Sequence, residues 1–138
     1  MNRELAVKYA WEFLGVPYRW GGDDSIYGFD CSGFVIEVLQ GVGLLSHGTD
    51  YTANGLYIKY KNNVQPIGQA GCLCLWFNPA GVATHVEMFI DEGHTIGASG
   101  GGSATTSSDA AAAQNAFIKI RPLGYRGSSY KIVDPFKE

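Results

Sequence analysis

Cys31 directly follows an aspartate and opens a run in which Phe34, Val35, Val38, Leu39 and Val42 recur at helical spacing, with Gly41 or Gly43 placed to end it. The spacing predicts a helix that starts at Cys31 and is capped by Asp30. A thiol in a first helical turn lies among N–H groups that lack carbonyl partners, and their partial positive charge favours the thiolate. The same N–H groups can hold an oxyanion. Both properties suit a nucleophile that attacks a carbonyl.

Such a nucleophile needs a base, and the 138 residues contain three histidines, His47, His85 and His94. His47 and His94 lie beside glycine in turn-like stretches. His85 sits in Thr84-His85-Val86-Glu87-Met88-Phe89-Ile90, an alternating run rich in β-formers, so a strand can aim its imidazole at one face. A strand histidine packed against the start of a cysteine helix is the nucleophile-and-base arrangement of papain-like enzymes. Cys72 and Cys74 alternate on another predicted strand and share a face, which raises a zinc site with His85 as the competing reading. No Cys-x-x-Cys or paired-histidine motif supports that site, so they are read as buried structural cysteines, with no metal and no cofactor expected.

The elements that must hold this pair follow from the pattern. Leu5, Ala6, Tyr9, Ala10, Phe13 and Leu14 form an apolar stripe, with Asn2 as cap and Gly15 as stop, and predict a first helix that packs on the cysteine helix. A short helix is expected over 52–59, then turn residues at Asn62-Asn63. Strands are expected near 72–77, 84–90, 95–98, 117–121 and 130–133. Helices followed by strands indicate an α+β fold. Residues 100–113, rich in Gly, Ser, Thr and Ala, read as a mobile surface loop with a short helical turn at 110–113; the functional alternative is a lid over the cleft. The length and the 46% of hydrophobic residues suit one domain over 1–138.

Val16-Pro17-Tyr18-Arg19-Trp20-Gly21-Gly22, then Phe29-Asp30-Cys31-Ser32-Gly33-Phe34-Val35, then Thr84-His85-Val86 resemble, in this order, the NlpC-type cell-wall cysteine peptidases. Weaker agreement runs through Ala70 to Trp76 and Ile120-Arg121-Pro122. The resemblance implies a papain-like α+β fold and hydrolysis of stem-peptide bonds in bacterial peptidoglycan, usually next to D-glutamate and the diamino residue. Catalytically weakened wall-peptide binding, or amidase or acyl-transfer chemistry on the same fold, are the alternatives. Tyr18, Asp30 and Ser32 are expected on the substrate-binding side: the Tyr18 hydroxyl either packs in the core or polarises the scissile carbonyl, and Ser32 contributes mainly backbone.

One departure concerns the third catalytic group. The family commonly carries a second histidine on the strand after the base strand, where this chain reads Thr95-Ile96-Gly97-Ala98-Ser99. His94 is at an odd offset from position 97 and points to the opposite face of an extended strand. Glu87, two residues from His85 and on the same face, is the expected substitute, because its carboxylate accepts from an imidazole N–H. A histidine introduced at 97 is expected to restore the usual arrangement if the strand accepts it.

The formal net charge of −3 and the lack of a basic stripe exclude nucleic acid as the main partner. Arg3, Glu4, Lys8 and Glu12 interrupt the first stretch, so neither a signal peptide nor membrane insertion is expected. That pattern fits a monomeric phage lysis enzyme or tail component that reaches the wall by another route.

Overall fold

The computed structural model describes residues 2–24 and 28–137. Helix α1 (Asn2–Trp11) leads to a two-strand ribbon, β1 (Asp23–Asp24) and β2 (Gly28–Phe29), which runs into helix α2 (Cys31–Gly41). Helix α3 (Ala53–Tyr60) and a 3-10 turn precede a sheet of β3 (Val64–Gln65), β4 (Leu73–Phe77), β5 (Ala83–Phe89), β6 (His94–Ser99), β7 (Phe117–Pro122) and β8 (Tyr130–Val133). Helix α4 (Ser108–Gln114) lies between β6 and β7. The sheet is antiparallel throughout, in the order β3-β8-β4-β5-β6-β7. The fold is α+β, as the order of patterns implied.

Strand alternation divides the buried residues between two faces. Leu73 and Leu75 of β4, Val86 and Met88 of β5, and Ile96 and Ala98 of β6 join Phe34, Val35, Val38 and Leu39 of α2 in the main core. The opposite face gathers Cys72, Cys74, Trp76, Phe89 and Ile132, closed over by Leu123 and Tyr125 of the β7–β8 connection and by Tyr130. Edge-to-face contacts link Tyr9 to Phe13, Phe13 to Phe29 and Phe34, and Phe29 to Phe34, which tie α1 and β2 onto α2.

Three expectations are corrected. Leu5 and Leu14 do not belong to the buried stripe: they are 53% and 40% exposed, while Ala6 and Ala10 are fully buried. The helix ends at Trp11, before Phe13 and Leu14, and its contact stripe is made by small residues that permit close approach to α2. Asn2 is the first helical residue, not the cap. Residues 100–113 are not a plain surface loop with one turn, because α4 runs over Ser108–Gln114 with the Ser107 side chain accepting from the Ala110 N–H. Four consecutive alanines behind that cap favour helix, and Thr105 before the helix and Ala111 within it are fully buried.

No helix among the described residues is long and apolar enough to cross a membrane.

Candidate active site

The sequence around Cys31 sets its own geometry. Asp30 adopts extended backbone and its carboxylate accepts from the Gly33 N–H at 2.7 Å and from the Ser32 hydroxyl at 3.4 Å, so α2 begins at the cysteine as its pattern requires. The Asp30 N–H donates to the Gly22 carbonyl at 3.0 Å. That carbonyl comes so close to α2 that a Cβ at position 33 would lie 2.2 Å from it, which explains why glycine follows Cys31-Ser32. Tyr18 is fixed beside them by N–H donation to the Ala116 carbonyl at 3.0 Å and by a bridge to Phe29.

The start of α2 meets the start of β5 in a cleft of about 390 Å³. Cys31, His85, Tyr18, Asp30 and Ser32 all line it, with Trp20 at 55% exposure on one side and Gly100 to Gly102 forming a wall. The wall is held by the Trp20 N–H donating to the Thr105 carbonyl at 2.7 Å and by the Gly102 N–H donating to the Thr105 hydroxyl at 3.0 Å. Residues 100–102 therefore border the cleft.

His85 is the residue in which the two layers meet. Its imidazole is within hydrogen-bonding reach of Cys31, while its Nε2 lies 2.7 Å from Glu87 Oε2. With Nε2 engaged by the carboxylate, Nδ1 is the nitrogen left to serve the thiol. The Trp76 ring packs 5.5 Å from the imidazole and limits its rotation. Burial pulls the His85 pKa down, but the hydrogen bonds to Cys31 and Glu87 outweigh it and hold the group above the ordinary histidine value.

Glu87 is completely buried, a costly place for a carboxylate unless its oxygens are satisfied. Oε2 receives His85 and the Tyr125 hydroxyl; Oε1 receives the Thr95 hydroxyl at 2.7 Å. Burial raises its pKa, and the bonds from His85, Tyr125 and Thr95 more than reverse this, leaving it below the ordinary glutamate value. Gly97 is what makes room: a Cβ there would lie 2.3 Å from Glu87 Cγ. The condition attached to a histidine at 97, that the strand accept a side chain there, is not met while Glu87 fills the space, since position 97 and the Glu87 side chain claim one volume.

Tyr18 is buried to 5% exposure, and burial with the nearby Cys31 and Asp30 pushes its phenol up, so the hydroxyl keeps its proton. Burial also raises the Asp30 carboxyl, against the bonds it accepts from Gly33 and Ser32. His94 is exposed and turned to Asp91 at 3.0 Å, away from the cleft. Cys72 and Cys74 are fully buried beneath the sheet, where burial raises both thiols. Among the described residues, no three His, Cys, Asp or Glu side chains gather as a metal set.

Sequence reasoning missed Tyr125, Thr95 and Arg126, the last of which lines the cleft. Thr95 was accessible from strand register, since on β6 it pairs with Phe89, two residues along β5 from Glu87. Tyr125 and Arg126 lie in an irregular connection with no local signal.

The arrangement sets a cysteine at the start of a helix beside an imidazole whose Nε2 rests on a buried carboxylate, with both lining one cleft. The chain is similar to known proteins over most of its length. Residues 15–122 match the NlpC/P60 family model. The chain is 30% identical over 112 residues to the peptidoglycan endopeptidase RipB of Mycobacterium tuberculosis, covering 70% of this chain and 43% of that protein. It is 31% identical over 98 residues to the murein DD-endopeptidase MepH of Escherichia coli, covering 67% and 35%. It thus spans less than half the length of these curated relatives. A solved NlpC/P60 family protein from Bacillus cereus superposes with a TM-score of 0.71 at 23% identity, over 96% of this chain and 39% of that one, and so shares the fold. With the match spanning the cysteine helix, the base strand and the cleft wall, this chain belongs to the NlpC/P60 family.

Proposed function

We propose that this chain, acting as one domain, is a cysteine peptidase that hydrolyses stem-peptide amide bonds of bacterial peptidoglycan. The observation that carries the reading is Cys31 at the N-terminus of α2 facing an imidazole held at 2.7 Å by a buried carboxylate. The Cys31 thiolate attacks the scissile carbonyl carbon, a C–S bond forms, and the oxyanion is met by the Cys31 N–H and the protonated Tyr18 hydroxyl. His85 gives its proton to the departing amine, the C–N bond breaks, and a thioester remains. Water attacks the thioester as His85 takes its proton, the C–S bond breaks, the acid product leaves and gives its proton to solvent, and the thiolate–imidazolium pair is restored. Glu87 orients the ring and stabilises the imidazolium through both steps. Asp30 fixes the start of α2, and Ser32 lines the cleft where the stem peptide lies.

The test is incubation with purified peptidoglycan, followed by mass spectrometry of the released termini. New amino and carboxyl ends within the stem peptide are expected. Reducing sugar ends without new amino groups would point to glycan cleavage, a chemistry that generally uses two carboxylates. The binding-module alternative arose because Gly97 lacks an imidazole partner; Glu87 supplies one, which favours turnover.

A further inference from the structure

Glu87 needs an account of its own, because a fully buried carboxylate persists as an anion only where donors compensate it. Its partners come from every element around it. His85 on its own strand and Tyr125 from the β7–β8 connection share Oε2, and Thr95 on β6 takes Oε1. Cys74 faces it from β4 as an uncharged thiol, since burial and the carboxylate itself raise that group. Cys31 faces the far side of the imidazole. The Arg121 guanidinium lies 5.2 Å from the centre of the Tyr125 ring, and Arg126 adds positive charge beside it.

We propose that Tyr125 is a positioning residue: its hydroxyl, donating to the carboxylate oxygen that His85 uses, keeps Glu87 ionised and aimed at the imidazole. The inference rests on the functional reading above for its catalytic meaning. Three features support it beyond the contact. Tyr125 belongs to the cluster with Trp76, whose ring also abuts His85, so the phenol and the imidazole are braced by one indole. Burial and the carboxylate push its phenol up, so it remains a donor across the working range. The Thr95 hydroxyl occupies the other oxygen, which leaves Oε2 as the one shared by proton carrier and phenol.

The sign of the effect separates this role from simple packing. A donor to an anion stabilises its most deprotonated form, so losing the Tyr125 hydroxyl raises every proton affinity of the His85–Glu87 pair. Losing the charge of Glu87 does the reverse and lowers that of His85. Tyr125→Phe should therefore raise the His85 titration midpoint by about one unit, the scale of a charge-assisted hydrogen bond, and Glu87→Gln should lower it.

The experiment follows the imidazole ¹⁵N resonances of His85 through a pH titration. It uses the Cys31→Ala background, so that the thiol does not contribute, and only His47 and His94 need to be distinguished from the signal. In the Cys31-containing protein, Tyr125→Phe should also lower kcat/KM about tenfold on a defined stem peptide, the order set by that same bond. Tyr130→Phe, in the same aromatic cluster, should change neither readout. A parental midpoint and parental kcat/KM in folded Tyr125→Phe would overturn the inference. So would a shift of equal sign in Tyr125→Phe and Glu87→Gln. If Tyr125→Phe fails to fold, Thr95→Val removes the donor on Oε1, and it must raise the midpoint for the donor logic to stand. A parent that leaves peptidoglycan uncut would sink the functional reading alone, because the resonance shift is read without turnover.

Discussion

Replacing Glu87 by glutamine tests the centre of the site with a change of charge at nearly constant volume. The carboxylate oxygen lies 2.7 Å from His85 Nε2, with the two side chains 6% and 0% exposed, so solvent does little to screen the contact. Glutamine can still present an oxygen to His85 and Tyr125, and its amide can donate to a reoriented Thr95 hydroxyl. The fold should therefore survive, and the loss should be that of a charge-assisted bond turned neutral, about 1–2 kcal/mol. If that stabilisation is exerted on the imidazolium in the transition state, kcat/KM falls about 5- to 30-fold. The pH profile adds a sign. Glu87 is one of the two partners that lift His85 against its burial, so without the charge the imidazolium is lost at lower pH and the alkaline limb moves down. The assay is kcat/KM against pH on a defined stem peptide, with a thermal melt as the control. Parental kcat/KM and a parental alkaline limb, in a variant that melts like the parent, would refute the role given to Glu87.

Cys31→Ala should abolish release of stem-peptide termini while leaving the melting transition in place, since it removes the nucleophile and little volume; residual release at the parental rate would overturn the mechanism. Gly97→Ala should cost about 1–3 kcal/mol through overpacking, because its Cβ would lie 2.3 Å from Glu87 Cγ. The shift in Tm should then be about 3 °C or more for a chain of this size. Gly97→His combined with Glu87→Ala should recover more kcat/KM than Gly97→His combined with Glu87→Gln, because only the first pair vacates the volume. The depressed Glu87 contributes stability that is present above its ordinary value of 4.5 and is lost as pH falls through its folded value. The elevated His85 contributes stability that is present below its ordinary 6.5 and is lost as pH rises through its folded value. Melts across pH should therefore show the parent's advantage over Glu87→Gln greatest between 4.5 and 6.5.

Local signals made the cysteine helix legible: an aspartate cap, a helical apolar spacing and terminal glycines all agreed, and α2 spans Cys31–Gly41. The strands β4 to β8 were legible through alternation and β-branched content. The placement of Glu87 beside His85 followed from the period of two along one strand. Other features required distances across the chain. Two-residue strands such as β1 and β3 are too short for any periodic pattern. The buried face of α1 is set by where the chain turns after Trp11, which the stripe could not show. Tyr125 reaches Glu87 from 38 positions away through a connection without regular structure. The exclusion between Gly97 and Glu87 depends on the stagger of β5 against β6, and a reading of side-chain types cannot supply it.

That exclusion bears on how such sites can change over generations. The two positions sit on neighbouring strands and compete for one small space, so the group that steadies the imidazole has two alternative addresses in the chain. A lineage can transfer the duty from one strand to the other only by emptying the first address as it fills the second. Gly97 is the empty address here, and counting histidines alone would overlook the carboxylate that fills the space from β5. In this protein the volume beside the imidazole is filled from β5, and β6 gives way to it with a glycine.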